Sequence, residues 1–497
     1  MKLSKLTLTV ATILGVTLSS AAFAMDLYVD TKTKQIFAEP GKNRVKMGSF
    51  EQVGASSNSN QSEMDSIRQD LELKNNAIKA LEEKVTAVGE DKKKDGDKWY
   101  NKINIGGYTQ MRYNLGLSGD RAGSAARPAL ASTGDGYIGN NMGFGMRRVR
   151  LKFSGDMNDY VSLYLQADFA AAIPGSTAAQ SGQHFAQLRD AYTDIHFDKA
   201  HEYRVRAGIS KVPFGWENLQ SSQNRLALDR NDALNSAVPD ERDLGLIAYW
   251  TPTHVQKLWK DLDKKGLKTS GNYGVLGVGV YNGQGLNRPE RNDDLYVVAH
   301  STYPVELGFM GSFFDGQVLE VGADAMTGRF SPNVAAYTPF GKTTAITPTI
   351  RGDGNSRISE ERVGVHAILF PQPFGLQAEW TWGKSGALNQ NQAGTAATID
   401  RKSLNGGYVQ AMYKVDKVFG TEGTIIPYVK WQTYKGAWKK DTNSPYISTS
   451  ELEAGVEYQI MKALELTLAY SDMNRTNDAV NAQTDGSLLR MQLQFNY

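Results

Sequence analysis

The sequence predicts an all-β transmembrane protein, an antiparallel outer-membrane β-barrel of about 16 strands with a short N-terminal periplasmic coiled-coil helix. Three observations predict this fold: a regular alternating segment at 487–497, an export signal at 1–24, and period-2 segments throughout 99–497. Side chains of a membrane-barrel strand point alternately to lipid and to the lumen, so apolar and polar residues alternate along it.

The clearest alternating segment is 487–497. Its apolar residues are Leu489, Met491, Leu493, Phe495 and Tyr497, and its polar residues are Arg490, Gln492, Gln494 and Asn496. A soluble domain half-buries strands of the same period, but a terminal strand that ends on an aromatic residue is typical of outer-membrane barrels. We therefore predict a membrane strand that pairs with the first strand when the barrel closes.

Residues 1–24 have the features of a cleavable signal peptide. Lys2 and Lys5 precede the uncharged run 6–18, and Ala22-Phe23-Ala24 is a small-x-small cleavage site before Met25. The run is too short for a membrane-spanning helix, which needs about 20 apolar residues. We expect export to the outer membrane of a Gram-negative bacterium.

Two segments are expected between the signal peptide and the barrel. Residues 25–61 form a periplasmic segment that ends in a linker rich in Ser and Asn. Residues spaced alternately three and four apart over 62–90 then predict a coiled coil. Its a and d positions are Met64, Ile67, Leu71, Lys74, Ile78, Leu81, Val85 and Val88. So short a helix needs partners, although a helix packed on its own chain has similar spacing. The a and d residues do not fix the oligomer state, but barrels of this size are often trimers, so we expect a homotrimer.

The barrel is predicted over 99–497. We place strands near 102–113, 144–154, 160–170, 187–198, 202–209, 243–251, 272–282, 295–303, 318–327, 361–370, 374–384, 405–415, 424–434, 451–460, 463–472 and 487–497. Short turns alternate with long polar loops, as in bacterial barrels. The exception is the Lys-rich stretch 252–271, where either a turn carries an insertion or the count is wrong by one hairpin. A β-sandwich or propeller is the alternative fold.

Charged residues at lumen positions separate onto two arcs of the predicted wall. The basic arc comprises Lys102, Arg112, Arg148, Arg150, Lys152, Arg204, Arg206 and Arg490, and the acidic arc comprises Glu451, Glu453, Glu457 and Glu465. Opposed arcs of charge create a transverse field that steers ions along a pore.

The segment 211–242 between the fifth and sixth strands is too long for an ordinary hairpin. We expect it to fold into the lumen and form a constriction, an external cap being the alternative. Its basic residues are Lys211, Arg225, Arg230 and Arg242, and its acidic residues include Glu217, Asp229 and Asp240.

Three stretches resemble the phosphate-selective porin O/P family. They are MRRVRLKFSG at 146–155, LRDAY at 188–192, and RAG at 206–208 continuing through KVPFG at 211–215 to Ser221-Ser222 and Val238-Pro239. The likeness is best over about 100–250 and looser over the rest of the barrel.

This resemblance implies a trimeric, anion-preferring channel whose arginine and lysine ladder guides phosphate to a narrow basic eyelet. It gives Arg148 and Arg150 as ladder residues and Lys211 and Arg225 as loop residues. The acids of the loop depart from this pattern and favour a broader anion or small-solute pore. The N-terminal coiled coil is similar to that of dicarboxylate-type porins, which implies a different solute.

Other classes of function fit the sequence less well. The chain has no cysteine and a net charge of +2, which excludes thiol chemistry and a strongly basic nucleic-acid binder. Its six histidines are dispersed and no Gly-x-Ser-x-Gly elbow is present, so we expect no enzyme, cofactor or metal. The expected partners are small anions, outer-membrane lipid and, through the coiled coil, peptidoglycan. A receptor, adhesin or peptidoglycan-tethering barrel is the second class, but 25–98 is too short for a plug domain.

Overall fold

A computed structural model describes residues 25–32, 35–50, 66, 69–80, 82, 98–119, 130, 143–172, 184–339, 341–354, 356–477 and 482–497. The chain forms two compact units, 1–94 and 95–497. In the first unit, strands Met25–Asp30, Ile36–Phe37 and Arg44–Phe50 form an antiparallel sheet, and residues 69–80 are helical. The predicted signal peptide, the linker and most predicted coiled-coil positions, among them Ile67 and Leu81, lie outside the described residues.

The second unit is a closed barrel of sixteen long antiparallel strands. They are β1 Asn104–Gly119, β2 Phe144–Asn158, β3 Val161–Ala172, β4 His184–His196, β5 Tyr203–Lys211, β6 Arg242–Trp250, β7 Leu276–Tyr281, β8 Tyr296–Glu306, β9 Val318–Phe330, β10 Ile358–Leu369, β11 Phe374–Gln390, β12 Ala397–Tyr413, β13 Gly423–Ala437, β14 Tyr446–Met461, β15 Leu464–Asn477 and β16 Ala482–Asn496. Short strands Thr349–Ile350 and Val415–Val418 flank β12. Each segment predicted from the sequence overlaps one long strand, and the predicted fold is confirmed.

The barrel closes through β16 and β1, which pair antiparallel from Gly486↔Gly119 to Asn496↔Tyr108. Tyr497 extends this pairing, because its backbone N–H donates to Gly107 O and its carbonyl accepts from Gly107 N. A Cβ at Gly107 would lie 2.0 Å from Arg150 O and 2.7 Å from the Tyr497 ring. Only glycine therefore lets the terminal aromatic ring pack at this seam.

The two faces of the wall differ in polarity as the alternation predicts. On β14, Glu451 and Glu453 are 5% and 3% exposed, whereas Leu452 between them is 45% exposed. Apolar side chains cover the outside of the strands and polar ones the inside, the pattern of a barrel surrounded by lipid. Among the described residues, no helix is long and apolar enough to cross a membrane.

One connection differs from the other turns at the end of the barrel where Tyr497 lies, which we call the lower end. Between β6 and β7 the chain forms helix α3, Thr253–Lys264. Val255, Trp259 and Leu262 make its buried face, as expected for an amphipathic helix. The Lys-rich stretch 252–271 is thus an insertion in a turn, and the predicted strand count stands.

Candidate functional site

The loop 212–241, which we call the inward loop, lies inside the lumen. It contains helices α1, Trp216–Leu219, and α2, Asp232–Asn235, and the 3₁₀ turn Pro239–Glu241. Apart from a few partly exposed residues it is buried. Its side chains and backbone contact strands all round the wall, so the lumen is narrowed at this level.

Carboxylates of the wall hold the start of α1. Glu379 on β11 accepts hydrogen bonds from Trp216 N at 2.6 Å and Glu217 N at 2.7 Å, and Asp324 on β9 accepts from Gly215 N at 3.1 Å. Backbone N–H groups at a helix start need such acceptors. Gly215 has φ +84°, and a Cβ there would meet Leu234 at 2.3 Å, so the turn requires glycine.

Basic residues of the wall hold the middle and end of the inward loop. Arg362 on β10 donates to Ser236 O at 3.0 Å and Ser236 Oγ at 2.9 Å, and Arg475 on β15 lies 2.8 Å from Asp232. Lys430 on β13 forms an ion pair with the buried Glu217. These buried pairs satisfy charges that would otherwise be costly to remove from water.

Two residues of the predicted basic arc also bind the inward loop. Arg490 lies 2.5 Å and Arg112 lies 3.4 Å from the carboxylate of Asp229, and Arg490 lies 3.4 Å from Glu453 of the acidic arc. Arg112 is 1% and Arg490 0% exposed. Both guanidiniums therefore have a carboxylate partner on the inward loop and fix the loop in place.

Three further predicted arginines pair with carboxylates on the neighbouring strands. Arg150 lies 2.9 Å from Asp168. Arg206 and Arg204 share Asp194, at 2.8 Å and 3.6 Å. Asp168 and Asp194 were missed by the sequence reasoning, although both lie on lumen positions of β3 and β4, where the alternation could have revealed them.

The two remaining lysines of the predicted set differ in exposure. Lys211 is buried, and its ammonium donates to the carbonyl oxygens of Asn218, Leu219 and Gln220 at 2.9, 3.0 and 2.7 Å. It therefore caps the end of α1. Lys152 on β2 is partly exposed.

Arg148 and Arg225 form no salt bridge with a carboxylate in the described structure. Arg148 donates to the neutral Gln110 Oε1 at 2.8 Å, and the Nε atoms of both arginines are buried without a hydrogen-bond partner. Arg147, Arg150 and Arg225 all lie near enough to Arg148 to repel its charge. Positive charge is thus in excess where β2 faces the inward loop.

Acidic residues at the end of the inward loop are held ionised by bases. Burial alone would raise the pKa of Glu241, but Arg230 and Arg242 lower that pKa well below its usual range. Burial would likewise raise the pKa of Asp240, but Lys440 lowers that pKa below its usual value. A carboxylate with a lowered pKa stabilises the fold above its ordinary pKa, and this contribution is lost as the pH falls through the lowered value.

Partly exposed residues mark the side of the lumen that solvent reaches. They include Lys152, Tyr164 and Tyr192 on the wall and Ser221, Gln223, Asn224 and Glu241 on the inward loop. Solvent therefore reaches part of the lumen between the loop and strands β2 to β4. The rings of Tyr164 and Tyr192 stack at 5.0 Å, and the Arg206 guanidinium lies 3.8 Å from the Tyr192 ring centroid.

Comparison with known proteins gives one family match. The model of the family phosphate-selective porin O and P matches residues 131–497. No curated protein matches the sequence significantly.

Similar solved structures include three outer-membrane proteins, each aligned over 80% of this chain. The outer membrane channel DcaP of Acinetobacter baumannii has 12% identity and a TM-score of 0.45 over 97% of its length. OmpF of Salmonella typhi, in complex with daunomycin, has 13% identity and a TM-score of 0.46 over 97% of its length. OprB of Pseudomonas putida has 8% identity and a TM-score of 0.43 over 95% of its length.

Proposed function

Because the chain belongs to the phosphate-selective porin O and P family, a family of outer-membrane diffusion channels, we propose that its passage prefers anions. Family and fold indicate a channel and not an enzyme. Phosphate and other small oxyanions, carboxylates included, are the solutes whose chemistry suits arginine donors.

The excess positive charge at Arg148 and Arg225 carries this proposal. The Nε–H group of each guanidinium is buried without an acceptor, and neither residue has a carboxylate within salt-bridge distance in the described structure, so their positive charge acts on a passing oxyanion. The other arginines of the arc already have carboxylate partners, which reduces their net field. Arg148, next to the solvent-reached side of the loop, is the main selectivity residue in this proposal.

The opposite wall carries buried carboxylates. Glu320, Asp324, Glu360 and Glu379 lie inside strands β9 to β11 and are buried. Most of their oxygens are occupied by the inward loop or by neighbouring basic residues. Because these acids are paired in this way, they repel a passing anion less than free carboxylates would, and the passage proposed here follows the basic side.

Planar-bilayer recordings of the purified protein test the proposal. In a tenfold KCl gradient, an anion-preferring channel gives a reversal potential of the sign set by Cl⁻. Replacing KCl by potassium phosphate on both sides then tests whether phosphate carries current. A wild-type reversal potential of the opposite sign would contradict anion preference, and absence of any conductance would contradict the channel itself.

We propose further that 62–90 is a coiled coil that joins the subunits of a trimer in the periplasm. Leu71 and Ile78, predicted core positions of the coiled coil, are 56% and 52% exposed in the single chain, and burial between helices would remove this apolar surface from water. Contact of this helix with peptidoglycan is the alternative task, to be distinguished by deleting the segment.

A further inference from the structure

The connection 251–275 between β6 and β7, which we call the lower insertion, crosses the lumen. Lys268 Nζ lies 2.6 Å from Glu457 Oε1 on β14 and 3.0 Å from Glu465 Oε2 on β15. In a ring of sixteen strands, β15 is eight strands from β7 and therefore on the opposite wall. The lower insertion thus spans the full width of the barrel below the inward loop.

The lower insertion packs directly under the inward loop. Trp216 of the loop and Trp259 of α3 each donate an indole N–H to Glu320, both at 3.0 Å. Gln220 of the loop donates to Lys268 O at 2.7 Å. A shared apolar cluster that includes Leu262 and Leu267 fills the space between them and the wall. The two segments therefore form two adjoining layers across the lumen.

Lys268 brings a positive charge to two carboxylates that face the lumen. The side chains of Glu457 and Glu465 are 2% and 13% exposed, and that of Lys268 is 12% exposed. Burial alone would lower the pKa of Lys268, but the two carboxylates raise it above its usual value. The ammonium stays charged at physiological pH, and it offsets an acidic pair that would otherwise repel anions and attract cations.

We propose that the lower insertion is a second constriction and that Lys268 is a selectivity-determining residue of the channel. The ion pairs of Lys268 with Glu457 and Glu465, which we call the latch, hold the insertion against the far wall. The same ammonium offsets part of the negative charge of the acidic arc, so that anions that pass the inward loop are not repelled at the lower end. This inference rests on the proposed anion channel.

Three variants separate the latch from the charge. Lys268→Met removes both the ion pairs that hold the insertion and the positive charge, so conductance rises and the anion-to-cation permeability ratio falls about sevenfold. This factor is expected for one unit charge roughly 7 Å from the ion path in a water-filled pore, because the charge attracts anions and repels cations. Glu457→Gln combined with Glu465→Gln removes both ion pairs of Lys268 and both negative charges. Conductance therefore rises, and selectivity does not shift toward cations. Lys264→Met is the control, because Lys264 is 75% exposed and pairs with Asp261 on the surface, and it changes neither quantity.

The outcomes are distinct from those of the channel proposal. Each variant is first checked for the wild-type heat-modifiable band, and if Lys268→Met does not fold, Lys268→Gln and the glutamine pair carry the test. Wild-type conductance and selectivity in the latch variants would overturn the role of Lys268 while leaving the channel intact. A cation-preferring or non-conducting wild type would instead remove the proposed function on which the inference rests.

Discussion

Replacing Arg148 by Gln should weaken anion preference more than removing the neighbouring Arg150 together with its partner. Arg148 has a neutral partner, Gln110, whereas Arg150 pairs with Asp168 at 2.9 Å. Arg148→Gln therefore changes the net charge of the wall by one unit. Arg150→Gln combined with Asp168→Asn removes an arginine of the same strand together with its carboxylate partner. The net charge of the wall stays unchanged, so this double variant is the matched control.

The magnitude follows from Coulomb's law. Lumen positions on a strand are about 6.7 Å apart, and an ion passing at that distance from a unit charge gains about 0.6 kcal/mol at the dielectric constant of water and about 2.5 kcal/mol at an effective value of 20. Loss of Arg148 removes the attraction of an anion and the repulsion of a cation together, so the anion-to-cation permeability ratio should fall at least about eightfold. The exposure of Lys152 and Tyr192 indicates a hydrated passage, so we expect a value near the lower bound.

Reversal potentials in planar bilayers measure this ratio. The difference between Arg148→Gln and wild type should be largest near 0.1 M salt, where the Debye length is about 10 Å, and should shrink near 1 M, where it is about 3 Å. The reasoning is refuted if Arg148→Gln keeps the wild-type ratio at low salt, or if the charge-neutral control shifts the ratio as much as Arg148→Gln does.

Three further results are expected. Glu379→Ala removes the acceptor of two backbone N–H groups, and each group left unsatisfied costs about 1–3 kcal/mol. The inward loop should therefore loosen, and the single-channel current should become larger and noisier. Glu361→Ala, at an exposed position, is the control and should not change the current. Because basic neighbours hold the pKa of Glu241 well below its usual range, the difference in conductance between wild type and Glu241→Gln should stay constant from pH 7 to 5 and shrink only below about pH 4; a difference that vanishes near pH 6 would contradict this. Deleting 62–88 should lower the temperature at which oligomers dissociate on gels, and unchanged dissociation would favour the peptidoglycan role.

The sequence alone determined the barrel, because strand period is a local property. Each apolar side chain that faces lipid is followed by a polar one that faces the lumen, so the pattern fixes both the strands and the inward direction of Arg148 and Arg150. The terminal segment 487–497 was read from the same alternation. The helical face of α3 was present in the spacing of its apolar residues, but the Lys-rich composition obscured it.

Only the tertiary structure decided which inward charges are neutralised. Arg112 and Arg490 meet at Asp229 although more than a hundred residues separate each from it in the chain, and Lys268 meets Glu457 across the lumen. Alternation gives the direction of a side chain and not its partner, since partners arise from barrel closure and from loops that fold inside. For that reason the sequence predicted a continuous basic arc, whereas in the described part of the barrel most arginines of that arc have carboxylate partners and Arg148 does not.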